Sequence, residues 1–247
     1  MKAYKMMLKT ELKLSLRGMD MLIFALIMPI IVLIVIGIIY ENKPAFEGAN
    51  YTFLEQSFGA IASIAICAGG VMGLPLVVSD YRSKLILKRL KVTPVNPIVI
   101  LLVQVSIYAL YALVSLITVF LVATLFMGYE MQGNIFWFIL GWLLVMVSMF
   151  SIGMMVGGIA KNSKIAGIIA SALYFPMLIF SGATLPYEVM PPVMQKVVDL
   201  LPLTQSIKIL KSAALGLPLE NMILPILAIT VLAFACTFIA IKFFKWE

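Results

Sequence analysis

Residues 21 to 40, MLIFALIMPIIVLIVIGIIY, form an unbroken run of apolar side chains. A helix rises about 1.5 Å per residue, so a run of ~20 apolar residues matches the ~30 Å hydrocarbon layer of a bilayer. Only helices and closed barrels satisfy every backbone polar group in lipid, and a continuous apolar run, unlike an alternating one, selects the helix. Runs of similar character recur through the chain, which is 63% hydrophobic and only 12% charged. The fold class expected is therefore all-α integral membrane. Its 247 residues have room for about six spans with short connections, one domain over 1–247, and no sizeable soluble part.

The spans expected are 21–40, 57–79, 97–127, 135–160, 165–180 and 222–241. Pro29 is expected to kink the first. The second is rich in Gly, Ala and Ser, with Gly69 and Gly73 in a GxxxG spacing that lets helix backbones approach closely. The third is too long for one perpendicular crossing. The fifth is short. The N-terminus does not read as a cleavable signal, because the apolar run that follows it is of spanning length with no small-residue cleavage pattern.

Three segments stand outside this pattern. Residues 1–20 place Lys2, Lys5, Lys9 and Lys13 at helical spacing among Tyr4, Met7, Leu8, Leu12 and Leu14. That suits a helix lying in the headgroup layer with its lysines towards anionic lipid, or else a plain cytoplasmic tail. Residues 80–93, DYRSKLILKRLKVT, place Lys84, Lys88 and Lys91 on one helical face and Ile86, Leu87 and Leu90 on the other. A short surface helix or a basic loop that only sets topology both fit. Residues 182–221, punctuated by Pro186, Pro191, Pro192, Pro202 and Pro218, suit two helices too short to span, dipping into or lying on the outer leaflet. Segments assigned to the cytoplasmic side hold fourteen of the eighteen Lys and Arg but four of the eleven acids, so both termini are expected inside.

The net charge of +7 is dispersed among the ends of spans, which argues against nucleic acid as a partner. The chain has no His, removing the commonest proton relay and metal ligand. No charged residue falls in mid-span, so an ion-coupled carrier fits poorly. Buried serines such as Ser63, Ser115 and Ser171 lack a His partner, and no GxxxxGK[ST] phosphate loop occurs. The chain is not expected to be an enzyme, and if it belongs to a pump, the motor is another polypeptide. Cys67 and Cys236 lie within apolar runs and suggest no disulfide framework.

Taken in order, the basic lead-in, the six runs, D80-Y-R-S-K-L-x-L-K-R-L-K-V-T-P94 and S181-G-A-T-L-P186…M190-P-P…L201-P-L-T204 resemble the ABC-2-type permeases, membrane subunits of bacterial ABC exporters. The resemblance covers nearly the whole chain. It implies that 80–93 is a coupling helix docking on a partner ATPase, with Asp80, Tyr81, Arg82, Lys84, Leu85, Lys88, Arg89 and Leu90 at the contact. Permeases of this kind more often carry Glu, and a Gly-Thr pair, where this chain has Asp80 and Ser83-Lys84. The resemblance also implies re-entrant outer helices over 182–221 and a translocation path along the second and fifth spans. Candidate path residues are Ser63, Cys67 and Gly70 with Gly167, Ser171, Tyr174 and Leu178, stripes that ordinary helix packing explains equally. The partners implied are an ABC ATPase subunit in two copies, carrying ATP and Mg, a second permease chain, identical or homologous, and membrane lipid. No cofactor is expected in this chain. The resemblance also implies a location in the cell membrane and, as the expected activity, export of a drug, antimicrobial peptide or lipid-like cargo. A membrane-embedded assembly or immunity protein that transports nothing is the alternative.

Overall fold

The structure is a computed structural model that describes all residues except 1, 41–42, 47, 87–96, 185–186, 188–189, 219 and 244–247. It is an all-α integral membrane fold. Among the described residues six helices are long and apolar enough to cross a bilayer: α2 (Ile23–Tyr40), α3 (Phe53–Ser83), α4 (Pro97–Met127), α5 (Ile135–Ile159), α6 (Ser163–Phe180) and α9 (Glu220–Phe243). Helix α1 (Lys2–Arg17) precedes them, and two short helices, α7 (Pro192–Val198) and α8 (Pro202–Leu215), stand between α6 and α9. Among the described residues the only β feature is an isolated bridge from Pro44 to Thr52.

Helix α3 is the centre of the bundle. From Phe53 to Leu74 every described side chain is buried except those of Ser57 and Met72. Its start is fixed by a capping box: Thr52 Oγ1 accepts from the Glu55 amide at 3.2 Å, and Glu55 Oε2 accepts from the Thr52 amide at 2.6 Å. Asn134 and Asn162 cap α5 and α6 through their side-chain oxygens in the same manner.

Both prolines of the first two spans follow a widened turn. A π turn over Ile23–Ile27 ends two residues before Pro29, and another over Ala68–Gly73 ends two residues before Pro75. Proline cannot donate to the carbonyl four residues back and its ring crowds that carbonyl, so an extra residue in the preceding turn relieves both problems. The irregularity expected at Pro29 therefore takes the form of a π turn.

The second π turn is also where three helices cross most closely. A Cβ on Gly153 of α5 would collide with the Gly70 carbonyl oxygen, and one on Gly70 would stand 2.8 Å from Phe150 Cδ1. The Gly69–Gly73 groove is filled from within the same chain: Tyr108 of α4 lies against it, its Cε1 2.6 Å from where a Gly73 Cβ would be. Small residues on α3 thus seat neighbouring helices of this chain, as close packing in lipid requires.

The expected pair of short helices is present, and α8 goes deep. Leu203, Ile209, Leu210, Ala213 and Ala214 are buried against α3, α5 and α9. It ends at Gly216, whose left-handed φ of +66° suits glycine. The 128–134 connection docks there: the Gly133 amide donates to the Ala214 carbonyl at 2.8 Å, and a Cβ on Gly133 would strike the Ala213 carbonyl oxygen. Tyr129, in that connection, stacks on Phe58 at 4.3 Å. Burial, with the Glu55 carboxylate adding to it, pushes the Tyr129 phenol above its usual range, so it packs as a neutral ring.

Candidate functional site

The segment 80–93 is divided by the structure. Residues 80–83 are the last turn of α3, so whatever moves them moves the central helix. Lys84 and Leu85 then turn the chain, with Leu85 at a φ of +57°. A leucine in that left-handed region costs about 1–2 kcal/mol, and it does not continue a right-handed helix. One amphipathic helix running unbroken from Asp80 is therefore not what forms. Lys88, Arg89 and Leu90, with the rest of 87–93, lie outside the described residues.

The side chains of this turn face in different directions. Lys84 pairs with Asp80 at 2.8 Å on the surface, a helical pair worth about 0.3–0.5 kcal/mol. Arg82 turns inward. It is 4% exposed and its Nη1 donates to the Gly158 carbonyl at 2.8 Å, capping the end of α5, while Nη2 has no partner. Close approach makes this reach feasible, since a Cβ on neighbouring Gly157 would sit 2.9 Å from Val78 Cβ. Ser83 Oγ lies 3.2 Å from Ser163 Oγ, joining the same turn to the start of α6.

Tyr81 faces the other way, into a junction with α1 and α4. Its hydroxyl donates to Glu11 Oε2 at 2.5 Å, and Gln104 Nε2 donates to the same carboxylate oxygen at 3.0 Å and to the Tyr81 oxygen at 2.8 Å. Two further contacts dock α1 along α4: Tyr4 Oη with Ser106 Oγ at 2.7 Å and Ser15 Oγ with Tyr111 Oη at 3.0 Å. Beside the junction is a cavity of about 430 Å³ whose walls include Glu11, Asp80, Tyr81, Gln104 and Tyr108. Hydrogen bonds to a charged group contribute roughly 1.5–3 kcal/mol each when sheltered, so this is a firm attachment.

In the sequence Glu11 interrupts the apolar face of α1. Tyr4, Glu11 and Ser15 in fact share one helical stripe at i, i+7 and i+11, opposite the polar residues of the third span, and that spacing was the available signal. Lys5, Lys9 and Lys13 are exposed on the other side of α1. The inward direction of Arg82 had no comparable signal, because its partner is a backbone carbonyl seventy-six residues away.

The candidate path residues separate into two groups. Ser63, Cys67, Gly70, Tyr174 and Leu178 are all buried within the chain. Ser63 Oγ donates to the Ala60 carbonyl of its own helix at 2.6 Å, and Gly70 is covered by α5. Gly167 and Ser171 reach a partly open face of α6, where Ser171 Oγ approaches Met72 Sδ at 3.9 Å. Among the described residues no group of three or more Cys, Asp and Glu could hold a metal ion.

The chain is 32% identical over 94 residues to nodulation protein J of Neorhizobium galegae, a match that takes in 38% of this chain and 34% of that protein. The chain thus aligns with about a third of the length of this relative. The ABC-2 type transporter family matches residues 2–215, which run from the first residue of α1 to the last of α8 and include the α1–α3–α4 junction. With a match of that extent on a six-span helical bundle, the chain belongs to the ABC-2 type transporter family.

Proposed function

We propose that this chain is the permease subunit of an ATP-driven exporter in the cell membrane, working as a dimer with an identical or homologous chain and driven by two separate ATPase subunits. The ATPase carries ATP and Mg. It docks at residues 80–93, and both termini lie on that cytoplasmic side. The cargo class is amphiphilic: a drug, an antimicrobial peptide or a lipid-like molecule, consistent with spans free of charge at mid-depth.

The observation that carries this reading is the attachment of the α3 terminal turn to four other elements. Tyr81 ties it to α1 and α4, Arg82 to the end of α5, and Ser83 to the start of α6. A push on 80–93 from a closing ATPase reaches the buried central helix and its neighbours together, which is how a rigid element transmits a conformational change. Asp80, Lys84 and Leu85 are surface groups available to a docking partner, with Lys88, Arg89 and Leu90 continuing the segment. Tyr81 and Arg82 act from behind, holding that surface to the bundle.

The test is affinity purification of the tagged chain from its native membrane, followed by reconstitution with the captured ATPase in vesicles and a transport assay with amphiphilic antibiotics. Nucleotide-dependent accumulation supports the reading. Absence of any P-loop ATPase from the purified material, with unchanged behaviour in nucleotide-free vesicles, overturns it in favour of an assembly or immunity role.

A further inference from the structure

At the end of the bundle opposite α1, helix α8, the first turns of α3 and the chain just after α6 enclose a cavity of about 320 Å³. The sequence of α8 explains its character. Thr204, Ile207, Lys208, Lys211 and Ser212 fall at i, i+3, i+4, i+7 and i+8, one helical face, and all five line the cavity. The opposite face carries Leu203, Ile209, Leu210 and Ala213 into the apolar core. In a bundle held together in lipid, a polar helix face turned inward needs something polar to meet.

Three residues of the lining are buried and lack that partner. Thr204 and Ser181 are each 1% exposed and Gln56 is 5% exposed. Thr204 Oγ1, Ser181 Oγ and Gln56 Oε1 have no hydrogen-bond partner. Buried polar atoms are paired in the great majority of cases, so three orphans around one cavity point to a ligand. Cationic charge is supplied by Lys208, whose Nζ lies 2.7 Å from Asp199 Oδ1 and 5.0 Å from the Tyr187 ring centroid, so it is held in place on the lining. Ala60, Ile207 and Leu217 add apolar wall.

The donor and acceptor types define the occupant. Two hydroxyls and an ammonium offer protons to an anion rich in acceptor oxygens, whereas the Gln56 amide oxygen accepts only and needs an O–H or N–H donor, which a hydroxyl beside that anion supplies. We propose that this cavity binds a phosphoglycerol group: the phosphate oxygens accept from Thr204, Ser181 and Lys208, and a glycerol hydroxyl donates to Gln56. The apolar wall favours a phosphoglycerol borne by a lipid. This site does not depend on the exporter reading, because a resident lipid occupies it equally in a chain that transports nothing.

The test uses the purified full chain in dodecyl maltoside, titrated with dihexanoyl phosphatidylglycerol, dihexanoyl phosphatidylcholine, glycerol 3-phosphate or inorganic phosphate, and read by native mass spectrometry and by the thermal midpoint. Phosphatidylglycerol should bind saturably and at least about tenfold tighter than phosphatidylcholine, and Thr204→Val and Ser181→Ala should each weaken it by about tenfold. Thr204→Val also removes an orphaned hydroxyl, so the lipid-free variant should melt no lower than wild type. Glycerol 3-phosphate binding as tightly as the lipid supports the site and names a soluble ester as its source. Lack of saturable binding by every probe, or equal binding by wild type and both variants, overturns the proposal.

Discussion

The Tyr81 hydroxyl donates to the Glu11 carboxylate at 2.5 Å, and this contact joins the end of the central helix to α1, which is not among the helices long and apolar enough to span a bilayer. Both partners also meet Gln104. Tyr81→Phe keeps the ring and removes the donor. It should lower the stability of the solubilised chain by about 1–2 kcal/mol, below the value for a fully sheltered charged bond because the site is only partly buried. A thermal melt reads this as a fall of roughly 2–6 °C. In the reconstituted complex the same variant should keep its ATPase bound yet transport less per ATP hydrolysed.

Arg82 makes a different prediction. Arg82→Met removes the cap on Gly158 but also removes a buried cation that has an unpartnered nitrogen, and these effects oppose one another. The expected net change in stability is within about 1 kcal/mol, while transport falls well below that of the Tyr81 variant. A transport loss that simply follows a large drop in melting temperature would remove Arg82 from the coupling argument.

Reversal of charge beyond the turn probes docking itself. Lys88→Glu combined with Arg89→Glu should abolish recovery of the ATPase with the tagged chain while leaving its melting temperature and membrane level unchanged. Undiminished recovery would place the docking surface elsewhere.

Glycine substitutions separate contact from backbone conformation. Gly153→Ala drives a methyl into the Gly70 carbonyl and should cost about 1–3 kcal/mol or more, seen as poor yield and early melting. Gly128→Asn, at a φ of +65° with nothing within 4 Å, should cost well under about 1 kcal/mol, since Asn tolerates the left-handed region.

Cys67 tests where a path runs. The thiol is fully buried in α3, so a membrane-permeant maleimide should leave it unmodified in the resting protein. Labelling that appears only with nucleotide and the ATPase would show that the cycle opens this helix face. Constant labelling without nucleotide would contradict the packing around α3.

The sequence alone determined the class, the number of spans and the family resemblance, because each rests on local properties: an apolar run of bilayer length, charges at its ends, prolines and small residues in order. It also determined that two short helices precede the last span. Tertiary structure decided direction and depth. That Arg82 turns to a carbonyl on α5 and that Glu11 is an anchor depend on contacts between residues seventy or more positions apart, and that α8 enters the core depends on its packing against α3, α5 and α9. The stripes of Ser63, Cys67 and Gly70 were visible as periodicity, but periodicity says which residues share a face and not what covers that face. Here it is covered by helices of the same chain, which close on α3 because its small side chains leave them room.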